Sequence, residues 1–115
     1  MKKILLFENE QCLTIKIADT FCTRLRGLLG TKQLNQNEGL LIKPCNSVHM
    51  VGMRYAIDIV YLDKENKIIK IVENLKPWIG VSLCLKAENT LEIAAFSTQK
   101  YNMQVGKKLN LIEQK

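Results

Sequence analysis

The chain has 115 residues, 47% of them hydrophobic, and sets 17 Lys and Arg against 11 Asp and Glu for a formal net charge of +6. That length and apolar share fit a single domain, 1–115, able to bury a core without staples. The four cysteines (Cys12, Cys22, Cys45, Cys84) include no CxxC pair, which argues against a disulfide framework or zinc ribbon and for reduced thiols in a cytoplasmic protein.

The positive charge is dispersed. Lys64, Lys67 and Lys70 alternate with Asp63, Glu65 and Glu73, and no basic run or aromatic-rich RNA-binding motif occurs, so nucleic acid is not an expected partner. Solvated lysines on strand edges, which oppose edge-to-edge aggregation, account for the excess. The opening apolar run stops at Glu8, far short of a signal-peptide core, and no stretch approaches the ~20 apolar residues of a membrane helix. The expectation is a cytoplasmic monomer or weak dimer with no membrane insertion.

Taken in order, residues 3–7 and 12–17 flank a polar break, Glu8-Asn9-Glu10-Gln11, of hairpin length; in the second run Leu13, Ile15 and Ile17 alternate with Thr14 and Lys16. Asp19 or Thr20 can cap a short helix from Phe21 to Leu29 that Gly30 ends, with Phe21, Leu25, Leu28 and Leu29 at helical spacing. Gly27 inside that helix implies close packing. Gly39 introduces a short buried strand, Leu40-Leu41-Ile42. Residues 45–53 read as extended chain with a bend near Gly52; Cys45, Ser47, His49, Val51 and Met53 then share one face, and Asn46, Val48 and Met50 the other. Two β-branched runs, 57–62 and 68–72, surround the polar turn Asp63–Lys67, the clearest hairpin signal in the chain. Asn74 to Gly80 is a loop with the single tryptophan, Trp78, beside Pro77. Strands at 81–85, 90–96 and 108–112 and a helical turn within 97–103 complete a mainly β fold of eight or nine strands. This points to a compact β-sandwich or partly closed barrel with one or two short helices.

In several pieces the chain resembles an uncharacterised bacterial and archaeal family, domain of unknown function 192. The pieces are Arg24-x-x-Gly27-Leu28, Gly39-Leu-Leu, Pro44-Cys-Asn-Ser-Val-His49 and Met53-Arg54-x-x-Ile57-Asp58-x-Val60. Val72-Glu-Asn-Leu-x-Pro-Trp78, Leu91-Glu92 and Gly106 follow, so the likeness runs through nearly the whole sequence. The resemblance implies a jelly-roll-like sandwich or barrel with a short helix, no established activity, and an accessory role linked to pilus assembly or secretion. Two places depart from the family's pattern: Ile93-Ala94-Ala95-Phe96 stands where a Pro-Ala-Gly turn is usual, and Gly106-Lys107 where Gly-Asp is. No ligand role is carried over to those positions.

Asp58 and Glu92 are the most informative residues, because each interrupts an apolar strand. Burying an unpaired carboxylate costs several kcal/mol or forces it neutral. Arg24 and Arg54 are the natural partners, since a guanidinium meets a carboxylate with two parallel hydrogen bonds. Such pairs either lock helix to sheet or wall a pocket for a charged or hydroxylated ligand. Cys45 and His49 lie roughly 13 Å apart along an extended strand, too far for a thiol–imidazole pair, and zinc would need about four ligands. Trp78 either folds back over the mouth of the sheet or stands exposed as a contact for a partner. The reading is a small, non-catalytic binding or accessory module that takes a small polar ligand or a protein partner. Its binding residues are Arg24, His49, Met53, Arg54, Asp58, Trp78 and Glu92, with no cofactor or metal. The alternatives are an enzyme of small polar molecules acting through His49 with Asp58 or Glu92, and a structural partner using strand edges or Trp78.

Overall fold

The computed structural model describes residues 3–8 and 11–113. The strands among them are β1 (Lys3–Glu8), β2 (Gln11–Ala18), β3 (Glu38–Ile42), β4 (Ser47–His49), β5 (Ile57–Leu62), β6 (Ile68–Leu75), β7 (Val81–Leu83), β8 (Asn89–Ala94) and β9 (Asn110–Glu113). The helices are α1 (Phe21–Arg26) and α2 (Ser97–Lys100). β1 and β2 pair antiparallel; the polar break expected between them falls partly on residues 9–10, outside the described residues. Along β2 the alternation holds, with Leu13, Ile15 and Ile17 buried and Thr14 and Lys16 exposed.

Seven strands form one mixed sheet in the order β6-β5-β8-β3-β2-β1-β9. Its single parallel pair is β2 with β3, the two strands that α1 separates in sequence. The sheet curls until its edges meet near the start of β6. There the Ile68 N–H donates to Lys107 O at 2.8 Å, and the Gly106 N–H donates to Ile68 O at 2.8 Å. The result is a mainly β, partly closed barrel. Its interior holds Leu6, Leu13, Ile15, Val60, Leu91 and Ile93, among others. The outer face of β3, β5 and β8 carries a second apolar cluster with Leu40, Ile57, Ile59 and Tyr61, covered by a two-stranded ribbon of β4 and β7. Gly39 lets the strands close up: a Cβ there would sit 2.7 Å from Ile15 Cδ1 and 2.9 Å from Ile93 Cγ2. No helix among the described residues is long and apolar enough to cross a membrane.

Three local expectations need correction. First, α1 is shorter than its apolar spacing implies. Thr20 caps it reciprocally, accepting from the Thr23 N–H at 3.1 Å and donating its own N–H to the Thr23 hydroxyl at 3.1 Å. Gly27 then adopts φ 52 and ends the helix, so its freedom serves the turn and not a close contact; an added Cβ would meet nothing nearer than Arg24 O at 3.9 Å. Phe21 and Leu25 are 72% and 71% exposed, and only Leu28, past the helix, is buried.

Second, residues 45–53 do not form one strand. Only Ser47–His49 is extended, and the chain then turns through Gly52 at φ 87. The Met53 N–H donates to Met50 O at 3.0 Å, so Met50 and Met53, expected on opposite faces, enter the same apolar cluster. Third, Trp78 does not fold back: it takes φ 67 and stays 61% exposed, with Ile79 and Val81 exposed beside it.

Candidate functional site

Alternation decides which carboxylate reaches which side of the sheet. β5 and β8 are antiparallel neighbours with Asp58 opposite Ile93 and Ile59 opposite Glu92. Ile93 belongs to the barrel interior and Ile59 to the outer cluster. Asp58 therefore faces inward and Glu92 outward, toward α1 and the ribbon.

Asp58 is fully buried, and among the described residues no arginine pairs with it. One oxygen accepts from the Asn74 N–H at 2.8 Å and the Phe96 N–H at 3.0 Å. The other accepts from the Thr98 N–H at 3.1 Å and the Thr98 hydroxyl at 2.8 Å. Two of these donors come from residues in the left-handed region, Asn74 at φ 53 and Phe96 at φ 68. The register of β5 against β6 shifts between Ile57 and Ile59, which brings Asn74 into range. The expected arginine pair is replaced by a cage of backbone amides, which offsets the desolvation of the carboxylate without a cation. Asp58 is thus a brace joining β5, β6 and the start of α2, remote from the outer face.

Glu92 is different. It is buried, and its carboxyl forms no hydrogen bond or ion pair among the described residues. Burial alone pushes its pKa from the ordinary 4.5 up to about 7. It lies in a cleft of about 100 Å³ between α1 and β4, whose lining includes Arg24, His49, Met53 and Glu92. Arg24 approaches from α1. Its Nε is buried without a hydrogen-bond partner, and among the described residues the expected ion pair between Arg24 and Glu92 does not form. Nearby, the Tyr55 hydroxyl shares a 2.8 Å hydrogen bond with Thr31, tying the segment after α1 to the cluster under the cleft. Burial also pushes the Tyr55 hydroxyl pKa above its usual value.

Of the seven residues singled out in the sequence, the structure brings four together in the cleft. Arg54 is exposed and lines none of it, Asp58 is across the sheet, and Trp78 stands on the turn before β7. The Cys45 thiol also lines the cleft but donates to Ser47 O at 3.1 Å, not to His49. Among the described residues no three His, Cys, Asp or Glu side chains are grouped to hold a metal ion.

The family model of uncharacterised proteins designated DUF192 matches residues 4–111. The chain belongs to the DUF192 family. A UPF0127 protein of Thermococcus sibiricus is 35% identical to it over 69 residues, which span 56% of this chain and 44% of that protein. Two solved structures share the fold. One, of unknown function, comes from Novosphingobium aromaticivorans, with a TM-score of 0.80 and 16% identity over 94% of this chain and 83% of that one. The other is a proposed transcription regulator of Sinorhizobium meliloti, with a TM-score of 0.83 and 19% identity over 96% and 92%. At such identities the likeness shows the fold alone.

Leu25 and Ile42 of this DUF192 chain also line the cleft and were not singled out in the sequence; Ser47, expected on one face with Cys45 and His49, lines it as well. A signal was present for Leu25: with Phe21 it forms an i, i+4 apolar pair on a helix too short to bury both. For Ile42 there was none, because its approach to α1 depends on the β3–β4 connection through Pro44.

Proposed function

We propose that this protein is a non-catalytic binding module whose outer cleft takes a small polar molecule. One observation carries the reading: the Arg24 Nε and the Glu92 carboxyl, neither with a partner among the described residues, line a single solvent-open cleft. Buried polar groups are nearly always satisfied, and each one left unsatisfied costs about 1–3 kcal/mol. A ligand that gives Arg24 an acceptor and meets Glu92 with a hydroxyl or amine would satisfy both. Hydroxy and amino carboxylates have that pair of groups, and the apolar wall of Leu28, Ile42 and Met53 suits a short hydrocarbon portion.

The test is an amide-resolved NMR titration with lactate and glycine as probes. The reading expects shifts centred on Arg24, Ser47, His49 and Glu92 that disappear in Arg24→Gln and weaken in Glu92→Gln. Shifts spread over the surface, or unchanged in both variants, would overturn it. Glu92 near neutrality, with His49 in the same cleft, also favours a second reading, a proton-transferring enzyme. The same titration separates the two, since a binder leaves its ligand unchanged over hours and an enzyme does not. The link to pilus assembly or secretion stays an expectation of the family resemblance.

A further inference from the structure

β4 and β7 pair antiparallel with Ser47 opposite Leu83, Val48 opposite Ser82 and His49 opposite Val81. Flanking hydrogen bonds fix which residues face the partner: the Cys84 N–H donates to Asn46 O at 2.8 Å and the Met50 N–H to Gly80 O at 2.9 Å. In an antiparallel pair the residues that exchange hydrogen bonds alternate, so Asn46, Val48 and Met50 turn their backbone toward β7. Ser47 and His49 turn theirs the other way, and among the described residues no strand lies on that side.

The two edges of the ribbon are treated differently. On β7 the outward carbonyl of Leu83 accepts from Lys70 Nζ at 2.9 Å, and an edge lysine of this kind blunts pairing. On β4 only the Ser47 carbonyl is engaged, by the Cys45 thiol. The open β4 edge borders a groove of about 330 Å³ whose far wall is α1, with exposed Phe21 and Leu25. That groove runs into the Arg24–Glu92 cleft, sharing Arg24, Leu25, Cys45 and Ser47 with it. α1 has Arg24 and Arg26 in its last turn and no acid in its first, within a chain of net charge +6.

We infer that the cleft's ligand is the carboxylate of an extended peptide, which adds a third strand to the ribbon along β4 and docks an apolar side chain against Phe21 and Leu25. This rests on the binding reading above and names its partner class. Strand addition derives affinity from main-chain hydrogen bonds and specificity from pockets for alternate side chains. Here the Ser47 and His49 backbone supplies the first, and the apolar wall with Arg24 the second. Arg24 prefers a carboxylate for its charge and its forked geometry. Terminal and side-chain carboxylates share that chemistry.

The experiment uses the full chain and the pentapeptide Thr-Val-Ile-Val-Asp in three forms: with both carboxylates, as the C-terminal amide, and with Asn in place of Asp. Binding is followed by NMR, with amide hydrogen exchange at residues 47 and 49. The inference expects slowed exchange at both amides, binding weakened at least tenfold by Arg24→Gln, and loss of binding on N-methylation of alternate peptide amides. Whichever of the amide and Asn forms loses affinity identifies the carboxylate. Phe21→Asp, at an exposed position that lines the groove and not the cleft, is expected to weaken the peptide and spare lactate. If lactate binds through Arg24 while the peptide binds no tighter and leaves both amides unprotected, strand addition is refuted and the small-ligand reading stands. If neither probe binds, both readings are refuted.

Discussion

Asp58 and Glu92 sit one register step apart on adjacent strands and face opposite sides of the same sheet. The first is enclosed by four donors; the second has none among the described residues. Two acids in similar apolar contexts therefore have different roles, one holding the barrel together and the other lying in a cleft.

Replacing Asp58 with Ala leaves three backbone N–H groups and the Thr98 hydroxyl without their acceptor in a buried place. The expected loss of stability is about 3 kcal/mol or more, read from the midpoint of urea unfolding. Asp58→Asn should recover part of it, because the amide oxygen still accepts from two donors. An Asp58→Ala midpoint equal to wild type would contradict the brace.

Much of this was legible in the sequence. Strand alternation gave the β class, and the Asp63 turn gave the central hairpin, where the Asp63 carboxylate accepts from the Glu65 and Lys67 N–H groups at 2.8 and 2.9 Å. An acid between two isoleucines signalled a buried carboxylate. Its partner was not legible, because backbone amides have no sequence identity and these come from residues 16 to 40 positions away. The side of the sheet each acid faces depends on pairing register, and so does the parallel approach of β3 to β2. The failure of residues 45–53 to form one strand follows from Gly52 in the left-handed region, where the turn displaces the alternation.

Stability should fall with rising pH through Glu92. Its carboxyl titrates near 7 in the folded chain against 4.5 ordinarily, so between those values the folded state holds a proton that the unfolded state has released. The contribution is fully present below pH 4.5 and is lost as pH rises through 7. Its size is about 3 kcal/mol. Subtracting the unfolding free energy of Glu92→Gln from that of wild type across this range isolates the effect; a flat difference would contradict it.

Phe96 occupies φ 68 where the family pattern has glycine, and its N–H is one of the donors to Asp58. A β-branched side chain tolerates that backbone worst and glycine best. Phe96→Gly should be more stable than Phe96→Val by about 2 kcal/mol in urea unfolding. Equal midpoints would mean that the backbone at this position relaxes.

The binding reading turns on Glu92 being buried at the cleft without a partner among the described residues. Carbon-13 NMR of the Glu92 side-chain carboxyl, followed against pH in the free protein, measures this directly. The account predicts a midpoint near 7, displaced when a carboxylate ligand occupies Arg24; a midpoint at the ordinary 4.5 would show a solvated or paired carboxyl and contradict the site.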